Sequence, residues 1–403
     1  MDKDIFKKLE TENEKEYILR ICDKRVDLGL TWQEISDKLN VLLHYNMSAD
    51  SYRKFYSRNK EKVLCDIDFN RGSAENTEPD VSLDSDLEKK IELQKIKCKM
   101  SDERVQLNAY VRRMAREETL KEIALDVAEK MSTKKILSVP NEILSVSGDN
   151  EAILELSDIH YGAAVSNYWN KYSPEIAKEC LEKLRDETIK KCALNGVRTL
   201  HVVNLGDMIN GYIHLGLRLE SRVDVITQTI EISEILSEFL NDLSRYFDIN
   251  FYSCLDNHSR LDPNKQDSMD LESLARIIPW YMKTRLSQND RIVFNDNEFD
   301  HDIITFNAKG YKILGVHGHK DKITTVVEKL SLMTHEHYDL VLTAHLHHFS
   351  CDEQNETVVV SNGSILGTDT YAKNLRLSSR PSQNLIIVTD DSVADCIYRI
   401  VLR

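Results

Sequence analysis

The chain has 403 residues, of which 41% are hydrophobic and 30% charged, so it can bury the cores of two or three domains and is not a wholly disordered chain. With only 13 glycines and 6 prolines, it is neither collagen-like nor dominated by linkers. The formal net charge of −14 argues against a protein that binds nucleic acid over its whole surface, but it is compatible with a local basic patch.

Neither the N-terminus nor any internal segment indicates a secreted or membrane protein. The start Met-Asp-Lys-Asp lacks the basic and apolar regions of a signal peptide, and no apolar run approaches the roughly 20 residues of a spanning helix. The eight cysteines are scattered without a Cys-x-x-Cys pair, which indicates reduced thiols and no thiolate zinc site. We therefore expect a cytoplasmic protein without a membrane partner.

Residues 1–64 have the pattern of a small helical module that resembles a helix-turn-helix. Helical apolar spacing runs from Glu14 to Leu28, and Thr31-Trp-Gln-Glu34 is a capping box that begins a second helix. A basic third helix is predicted from Ala49 to about residue 61, and its candidate DNA-binding residues are Arg53, Lys54, Arg58 and Lys60. The last helix of a helix-turn-helix enters the major groove, so the module predicts DNA as a partner. A three-helix interaction module with a solvated basic face is the alternative.

An acidic linker is predicted at residues 65–86, where Ser, Asn and Pro are frequent, and one long helix or a helical pair at 87–135. The second segment is rich in Glu, Lys, Leu and Ala. Its apolar residues have roughly heptad spacing that is not sustained over several heptads. A homodimer through a coiled coil and a helix packed on the next domain are therefore both open.

Between residues 150 and 403, short apolar strands alternate with amphipathic helices, which is typical of a layered α/β domain. In chain order, the predicted elements are a strand at 152–156, a helix at 174–194, a strand at 199–205, a helix at 222–246, a strand at 250–255, a helix at 270–286, a strand at 311–316, a helix at 323–334, and strands at 340–343, 357–361 and 384–389.

Polar side chains that can bind metal follow five of these strands. They are Asp158 and His160, then Asp207, then Asn257 and His258, then His317 and His319, and finally His345 and His347. The carboxyl edge of an α/β sheet is where active sites assemble, so we expect these groups to converge. Carboxylate oxygens and imidazole nitrogens bind divalent Mn, Fe or Zn, and a shared carboxylate can bridge two such ions. The pattern predicts a two-metal centre.

This set of motifs resembles the calcineurin-like metallophosphoesterase superfamily. The superfamily's pattern of D-x-H, G-D, G-N-H, H-G and G-H-x-H is matched in order from Asp158 to His347, and with its flanking strands the resemblance covers about residues 150–400. It implies an α/β fold, a four-layer β-sandwich flanked by helices. It also implies two divalent metal ions, with Mn as the first expectation and Fe or Zn as alternatives.

The resemblance also implies roles for individual residues. The ligands of one ion would be Asp158, His160 and His347, and those of the other Asn257, His317 and His345. Asp207 would bridge the two ions, hydroxide would attack phosphorus in line, and His258 would protonate the leaving oxygen. Asn210 and His319 are candidates for substrate binding.

Three positions depart from the family pattern. Asp256 stands where a glycine usually precedes Asn-His, Ser259 replaces an acidic residue, and Ala344 replaces the glycine of G-H-x-H. A side chain at residue 256 could alter the turn or add charge beside the second metal ion. Since all the expected ligands are present, we expect a functional centre.

The motif layout is closest to that of SbcD-type repair nucleases. About 55 residues follow His347, too few for the extra domain that those nucleases use with an ATPase, so no ATPase partner is expected. Met208-Ile-Asn-Gly211 replaces the Asp-Arg-Gly element of the protein Ser/Thr phosphatases. With the DNA-binding-like front end, the sequence predicts a DNA phosphodiesterase suited to a phage or mobile element. Two alternatives are an enzyme acting on small cyclic or linear nucleotides, and a DNA-binding regulator with a vestigial phosphoesterase domain.

Overall fold

The computed structural model describes most of the chain in two compact units, Met1–Arg104 and Val105–Arg403. The described residues are 6, 8–9, 12–25, 28–43, 45, 47–57, 59, 82–140, 144, 148–213, 215–265 and 268–403. Two of the predicted DNA-binding residues, Arg58 and Lys60, lie outside these ranges, as does most of the predicted acidic linker.

Three short helices form the described part of the first unit before residue 60: α1 (Glu14–Asp23), α2 (Trp32–Leu43) and α3 (residues 49–57). The predicted capping box forms at α2, where the Thr31 backbone N–H donates to Glu34 Oε2 at 2.8 Å and the Glu34 N–H donates to Thr31 Oγ1 at 3.3 Å. The first helix ends at Asp23, five residues before the predicted end, and Lys24 is its C-cap, with its N–H donating to the Arg20 carbonyl.

A small apolar core joins these three helices. Its most buried members are Tyr17, Ile21, Ile35, Leu39 and Tyr52. Tyr52 also donates its hydroxyl hydrogen to Asn40 Oδ1 at 3.0 Å, which satisfies the one polar atom of this buried ring. The module is therefore a packed three-helix unit, and its likeness to a helix-turn-helix stays a prediction.

The long predicted helix is a single helix, α4 (Ser82–Thr133), of 52 residues. It begins five residues before the predicted start. Near its C-terminal end Ile123 and Val127 are 1% and 2% exposed and belong to the main core of the second unit. Its exposed apolar side chains are Ile91, Leu93, Ile96, Met100, Val105, Leu107, Tyr110, Val111, Met114 and Leu125. A homodimer through α4 stays a prediction. Of the helices in the described ranges, none combines the length and the apolar character that a membrane span requires.

The second unit contains two mixed β-sheets. Across the first sheet, the strands are β13 (Cys396–Val401), β12 (Ser382–Val388), β1 (Asn150–Leu156), β4 (Val197–Asn204), β5 (Asp248–Ser253) and β6 (Ile292–Phe294). Across the second, they are β10 (Ser350–Gln354), β11 (Thr357–Ser361), β9 (Leu340–Thr343), β8 (Tyr311–Gly315) and β7 (Ile304–Ala308). In the first sheet β1, β4, β5 and β6 are parallel, and in the second β8, β9 and β11 are parallel. A hairpin, β2 (Val165–Ser166) with β3 (Lys171–Tyr172), lies outside both sheets.

Helices cover one face of each sheet, and the other faces share a core. The helices that follow α4 are α5 (Pro174–Leu194), α6 (Leu215–Glu220), α7 (Val225–Leu243), α8 (Ile277–Arg285), α9 (Val326–Thr334) and α10 (Thr370–Asn374). Of these, α5, α7 and α8 pack on the first sheet and α9 packs on the second. In β1, Leu154 packs in the cluster that contains α5, α7 and α8, whereas Ile153 packs with the second sheet, because successive strand residues face opposite sides. The helix α9 packs on the outer face of the second sheet through Val326 and Leu330.

The sequence did not predict the strands β2, β3, β6, β7, β10 and β13 or the short helices α6 and α10. The strand β10 contains Asp352 and Glu353 and has no apolar alternation because it is an exposed edge strand. The helix predicted at 270–286 begins only at Ile277, and a single 3₁₀ turn at Leu274–Arg276 precedes it.

Candidate metal centre

The five predicted motifs meet at the carboxyl ends of β1, β4, β5, β8 and β9. Asp158 lies two residues beyond β1, Asp207 three beyond β4, and His317 and His345 two beyond β8 and β9. Since these strands are parallel to their neighbours, their ends converge at one edge of the two sheets.

Five of the seven predicted ligands adopt a left-handed backbone conformation. The φ values are +51° at Asp158, +50° at His160, +54° at Asp207, +69° at His345 and +60° at His347. Such conformations are unfavourable for residues with a side chain and cluster where a site requires a particular geometry. Backbone hydrogen bonds fix them: the Asp158 N–H donates to Gly206 O at 3.0 Å and the His160 N–H to Asp207 O at 2.9 Å.

The first candidate ligand group consists of Asp158, His160, Asp207 and His347, whose ligand atoms all lie within 4.8 Å of one another. His347 Nε2 is 3.2 Å from Asp158 Oδ1 and 3.2 Å from His160 Nε2. His160 Nε2 is also 3.8 Å from Asp207 Oδ2. Three of these residues have almost no solvent exposure, and the side chain of His347 is 21% exposed.

The second group consists of Asp207, His317 and His345, again within 4.8 Å of one another. His317 Nε2 lies 3.2 Å from Asp207 Oδ2 and 2.9 Å from Asn257 Oδ1. Its Nδ1 donates to the Leu205 carbonyl at 2.7 Å, which fixes the ring and leaves Nε2 toward the carboxylate. The structure thus brings all seven predicted ligands together, with Asp207 in both groups.

Each carboxylate has one oxygen with a backbone donor and one that faces imidazole nitrogens. Asp158 Oδ2 accepts the His345 N–H and Asp207 Oδ1 accepts the His258 N–H, both at 3.2 Å. The other oxygens, Asp158 Oδ1 and Asp207 Oδ2, are buried and lie 3.2 Å from His347 Nε2 and His317 Nε2. Buried carboxylate oxygens that face imidazole nitrogens are a donor set that fits divalent metal ions.

The ionisation of the site supports the same assignment. Burial opposes the charge of Asp207, but His258 and His317 outweigh it and hold the pKa of this carboxyl well below its usual range. Burial likewise opposes a charge on His317, yet Asp207 raises its pKa to about 10. Burial lowers the pKa of His160 well below its usual value, so this imidazole is neutral and could act as a metal ligand. A metal ion at His317 would therefore displace a proton.

The departure at Asp256 has a structural role. Its Oδ2 accepts the Asp207 N–H at 2.9 Å and the Ser259 hydroxyl at 3.0 Å, and its Oδ1 accepts the Ser259 N–H at 2.7 Å. Gly206 has a φ of +96°, and a Cβ there would lie 2.6 Å from the Asp256 Cβ. Burial raises the pKa of Asp256, with Asp207 as a further cause. Asp256 and Ser259 therefore hold the Asp207 loop, a function that the sequence analysis missed although their spacing is typical of an Asp turn.

His258 lies at the accessible side of the centre. Its Nδ1 is 2.9 Å from the Asn210 carbonyl, and since a carbonyl only accepts, Nδ1 carries a hydrogen. Its Nε2 lies 3.9 Å from Asp207 Oδ2, and the side chain is 17% exposed. The ring thus presents Nε2 to the space beside the shared carboxylate.

The two candidate substrate-binding residues differ in placement. Asn210 is 2% exposed, and its side-chain amide donates to Ser221 Oγ at 2.9 Å, so its backbone carbonyl is the group that faces the site. His319 is half-buried, with its ring 5.4 Å from that of His317, and it lines a cavity of about 230 Å³ beside the centre. Burial lowers the pKa of His319 to about 3, so its ring is neutral.

The two predicted DNA-binding residues that the structure describes, Arg53 and Lys54, lie in the other compact unit. Arg53 and Lys54 on α3 are 60% and 64% exposed, and each forms an ion pair of 2.7 Å with Asp50 of the same helix. Asp50 therefore offsets part of the positive charge that the sequence assigned to this helix.

Comparisons with known proteins find similarity in sequence and similarity in structure. The family model of the YonJ N-terminal domain matches residues 2–64. Over 393 residues the chain is 25% identical to the uncharacterized SPbeta prophage-derived protein YonJ of Bacillus subtilis strain 168, and the match covers 93% of each chain.

Solved phosphoesterases are among the structural likenesses. A novel archaeal phosphodiesterase matches with a TM-score of 0.31 and 14% identity, over 62% of this chain and 99% of that one. Vps29 of Entamoeba histolytica, solved in complex with zinc, matches with the same TM-score, identity and coverage.

Proposed function

We propose that the chain is a dinuclear metallophosphoesterase with a four-layer sandwich fold, and that it hydrolyses phosphodiester bonds in DNA. The observation that carries this proposal is the pair of ligand groups that share Asp207, in which the buried oxygens Asp158 Oδ1 and Asp207 Oδ2 face imidazole nitrogens at 3.2 Å. The helix-covered sheets with a common core between them support the fold assignment.

The residues around the shared carboxylate have distinct tasks. Two divalent ions, when bound, would lower the pKa of a water molecule and offset negative charge on the phosphate oxygens. Asp207 keeps Oδ2 available to both ligand groups, while its Oδ1 anchors the His258 backbone. Asn210 O fixes the His258 ring so that a protonated Nε2 can donate to the leaving oxygen.

Three observations support DNA as the substrate. The first unit exposes Arg53 and Lys54 on a helix that can approach phosphates. Met208-Ile-Asn-Gly211 lacks the Asp-Arg-Gly element of protein phosphatases. A prophage-derived relative also fits an enzyme that acts on DNA.

The test is a substrate screen with the purified full-length chain and Mn²⁺. Single- and double-stranded DNA, RNA, cyclic nucleotides and bis(p-nitrophenyl) phosphate are offered, with and without a chelator. We expect metal-dependent cleavage of DNA and of the chromogenic diester. Cleavage of cyclic nucleotides alone would overturn the DNA assignment, and no cleavage of any substrate would favour the vestigial regulator.

Asp207→Ala tests the shared carboxylate in the same screen. We expect this variant to lose bound metal, measured by elemental analysis, together with activity. Asp391→Ala is the matched control because Asp391 is an exposed carboxylate outside the centre. Full metal content and activity in Asp207→Ala would contradict the assignment.

A further inference from the structure

A surface cleft of about 420 Å³ lies beside the β2–β3 hairpin. The turn of this hairpin carries two exposed aromatic residues, Tyr168 at 93% and Trp169 at 59% exposure. Their rings meet edge to face with centroids 5.5 Å apart. Rings this exposed bury little apolar surface, so the stability of the fold does not explain them.

The cleft is positive although the whole chain carries a net charge of −14. Lys171, Arg380 and Arg403 line it, with Glu179 as the acidic residue of the same lining. Arg403 is fixed by donating to the carbonyls of Leu366 at 3.3 Å and Ile365 at 3.4 Å. Exposed basic residues continue along the segment 370–380, which contains no acidic residue.

The cleft and the metal centre share one short segment of chain. The Leu366 N–H donates to the Asp158 carbonyl at 3.3 Å, and the Leu366 carbonyl accepts from Asn170 Nδ2 at 2.7 Å. Asn170 adjoins Trp169 in the turn, and the Trp169 N–H donates to Asn167 Oδ1 at 2.9 Å. Leu366 thus connects the loop of a metal ligand to the wall of the cleft, so the two sites have a fixed separation.

We propose that this cleft binds one nucleotide of a single-stranded nucleic-acid segment, with its base stacked on Trp169 and its flanking phosphates at Lys171 and Arg380. An exposed aromatic ring beside basic side chains is the combination by which proteins bind single strands without sequence readout. The volume of the cleft suits a single nucleotide, and its positive lining suits the phosphates. The inference rests on the proposed function and extends it to a strand that reaches beyond the scissile phosphate.

The first test measures binding of a short fluorescein-labelled oligothymidylate to the metal-free full-length protein by fluorescence anisotropy. Base stacking on an aromatic side chain predicts that Trp169→Ala weakens binding about tenfold and that Trp169→Phe retains most of the affinity. Trp280→Ala is the matched control, because Trp280 is 53% exposed on α8 and does not line the cleft. Equal affinity of Trp169→Ala and Trp280→Ala would overturn the proposal.

The charged side chains are tested by salt dependence. The double variant Lys171→Ala and Arg380→Ala should bind the oligonucleotide more weakly. Its affinity should also depend less steeply on salt concentration, because binding that contacts fewer phosphates releases fewer counterions. Lys283→Ala, an exposed lysine of α8, is the control. An unchanged slope in the double variant would contradict the placement of phosphates at these residues.

Cleavage assays separate this inference from the proposed function. We expect Trp169→Ala to lower kcat/KM for single-stranded oligonucleotides through KM and to leave bis(p-nitrophenyl) phosphate hydrolysis unchanged. If the wild type cleaves no diester but Trp169→Ala still binds the oligonucleotide more weakly than the wild type does, the cleft proposal is supported and the enzyme assignment fails. If the wild type cleaves the chromogenic diester and Trp169→Ala equals Trp280→Ala in binding and cleavage of oligonucleotides, the cleft proposal fails alone. Comparing DNA with RNA oligonucleotides of the same length shows which nucleic acid the cleft prefers.

Discussion

Charged side chains are exposed on the helix α3 but buried in the candidate metal centre. On α3, Arg53 and Lys54 are exposed beside Asp50 in ordinary helical backbone. In the candidate metal centre, Asp158 and Asp207 are fully buried in left-handed conformations, and each has an oxygen that faces an imidazole nitrogen at 3.2 Å. Exposed ion pairs contribute about 0–1 kcal/mol, whereas a buried charge is costly unless it is paired. The buried arrangement therefore fits a site that could bind cations, and the exposed one is compatible with a solvated helix face.

Of the substitutions that leave all seven candidate ligands in place, His258→Ala should lower activity the most. His258→Ala removes the proposed proton donor, and general acid catalysis contributes about 10²–10⁴-fold to rates, so kcat should fall by that factor. Metal content should stay at the wild-type value because His258 belongs to neither ligand group. The exposed His337→Ala serves as control. A variant with unchanged kcat would remove His258 from the mechanism.

Replacing Asp256 tests how the loop that carries Asp207 is held in place. Asp256→Ala removes the acceptor of the Asp207 N–H, and loss of a group that orients a ligand lowers metal affinity about 10–100-fold. Isothermal titration with Mn²⁺ measures the effect, with Asp391→Ala as the exposed control. Unchanged affinity would show that the Asp207 loop keeps its geometry without this carboxylate.

A smaller effect is expected at Glu155, a buried carboxyl between the sheets that accepts from Asn384 Nδ2 at 2.7 Å. Burial raises its pKa to about 8. The folded protein therefore binds this proton more tightly than the unfolded chain, in which the pKa of Glu is about 4.3. The free energy of unfolding should decrease as the pH rises from about 4.3 to about 8.

Glu155→Gln should remove this part of the pH dependence. Its amide can also donate to Asn384 Oδ1, which has no donor among the described residues. Above pH 8 the variant should be more stable than the wild type by about 1–3 kcal/mol, and the difference should shrink toward pH 5. Chemical denaturation at several pH values measures it. A constant difference across this range would mean that Glu155 does not titrate there.

The smallest expected effect is a change in DNA affinity when charged residues of α3 are replaced. Asp50→Asn frees Arg53 and Lys54 from their ion pairs, each worth about 1 kcal/mol or less, so DNA affinity should rise less than about fivefold. The double variant Arg53→Ala and Lys54→Ala should lower it and reduce the salt slope by about one for each phosphate contact. If neither variant changes DNA binding, α3 is only a solvated face and delivery of DNA by this module is wrong.

Elements with local signals were predictable from the sequence. The helix α5 has the predicted bounds, because Ser173 caps it and Pro174 occupies its first turn. The strands β9 and β11 also have the predicted bounds, because each is a short run of apolar β-branched and Leu residues. The seven candidate ligands were found because each lies in a polar motif directly after such a strand.

Features that depend on distant contacts were not predictable. The hydrogen bond from Asp207 to Asp256 joins residues 49 positions apart, and the bond from His258 to the Asn210 carbonyl joins residues 48 apart. Asn210 was predicted to line the substrate cleft because it follows the Gly-Asp turn, but its side-chain amide donates to Ser221 Oγ. The strand β7 pairs with β8 at the edge of the second sheet and carries Asn307 within it, so it has no clear apolar pattern.

The most direct test of the two-metal centre is the anomalous difference map of a crystal soaked in Mn²⁺. A two-metal centre predicts two peaks about 3.5–4 Å apart, one on each side of Asp207 Oδ2. One should lie among Asp158, His160 and His347, and the other among Asn257, His317 and His345. A single peak, or none, with these side chains in their present positions would contradict a two-metal centre.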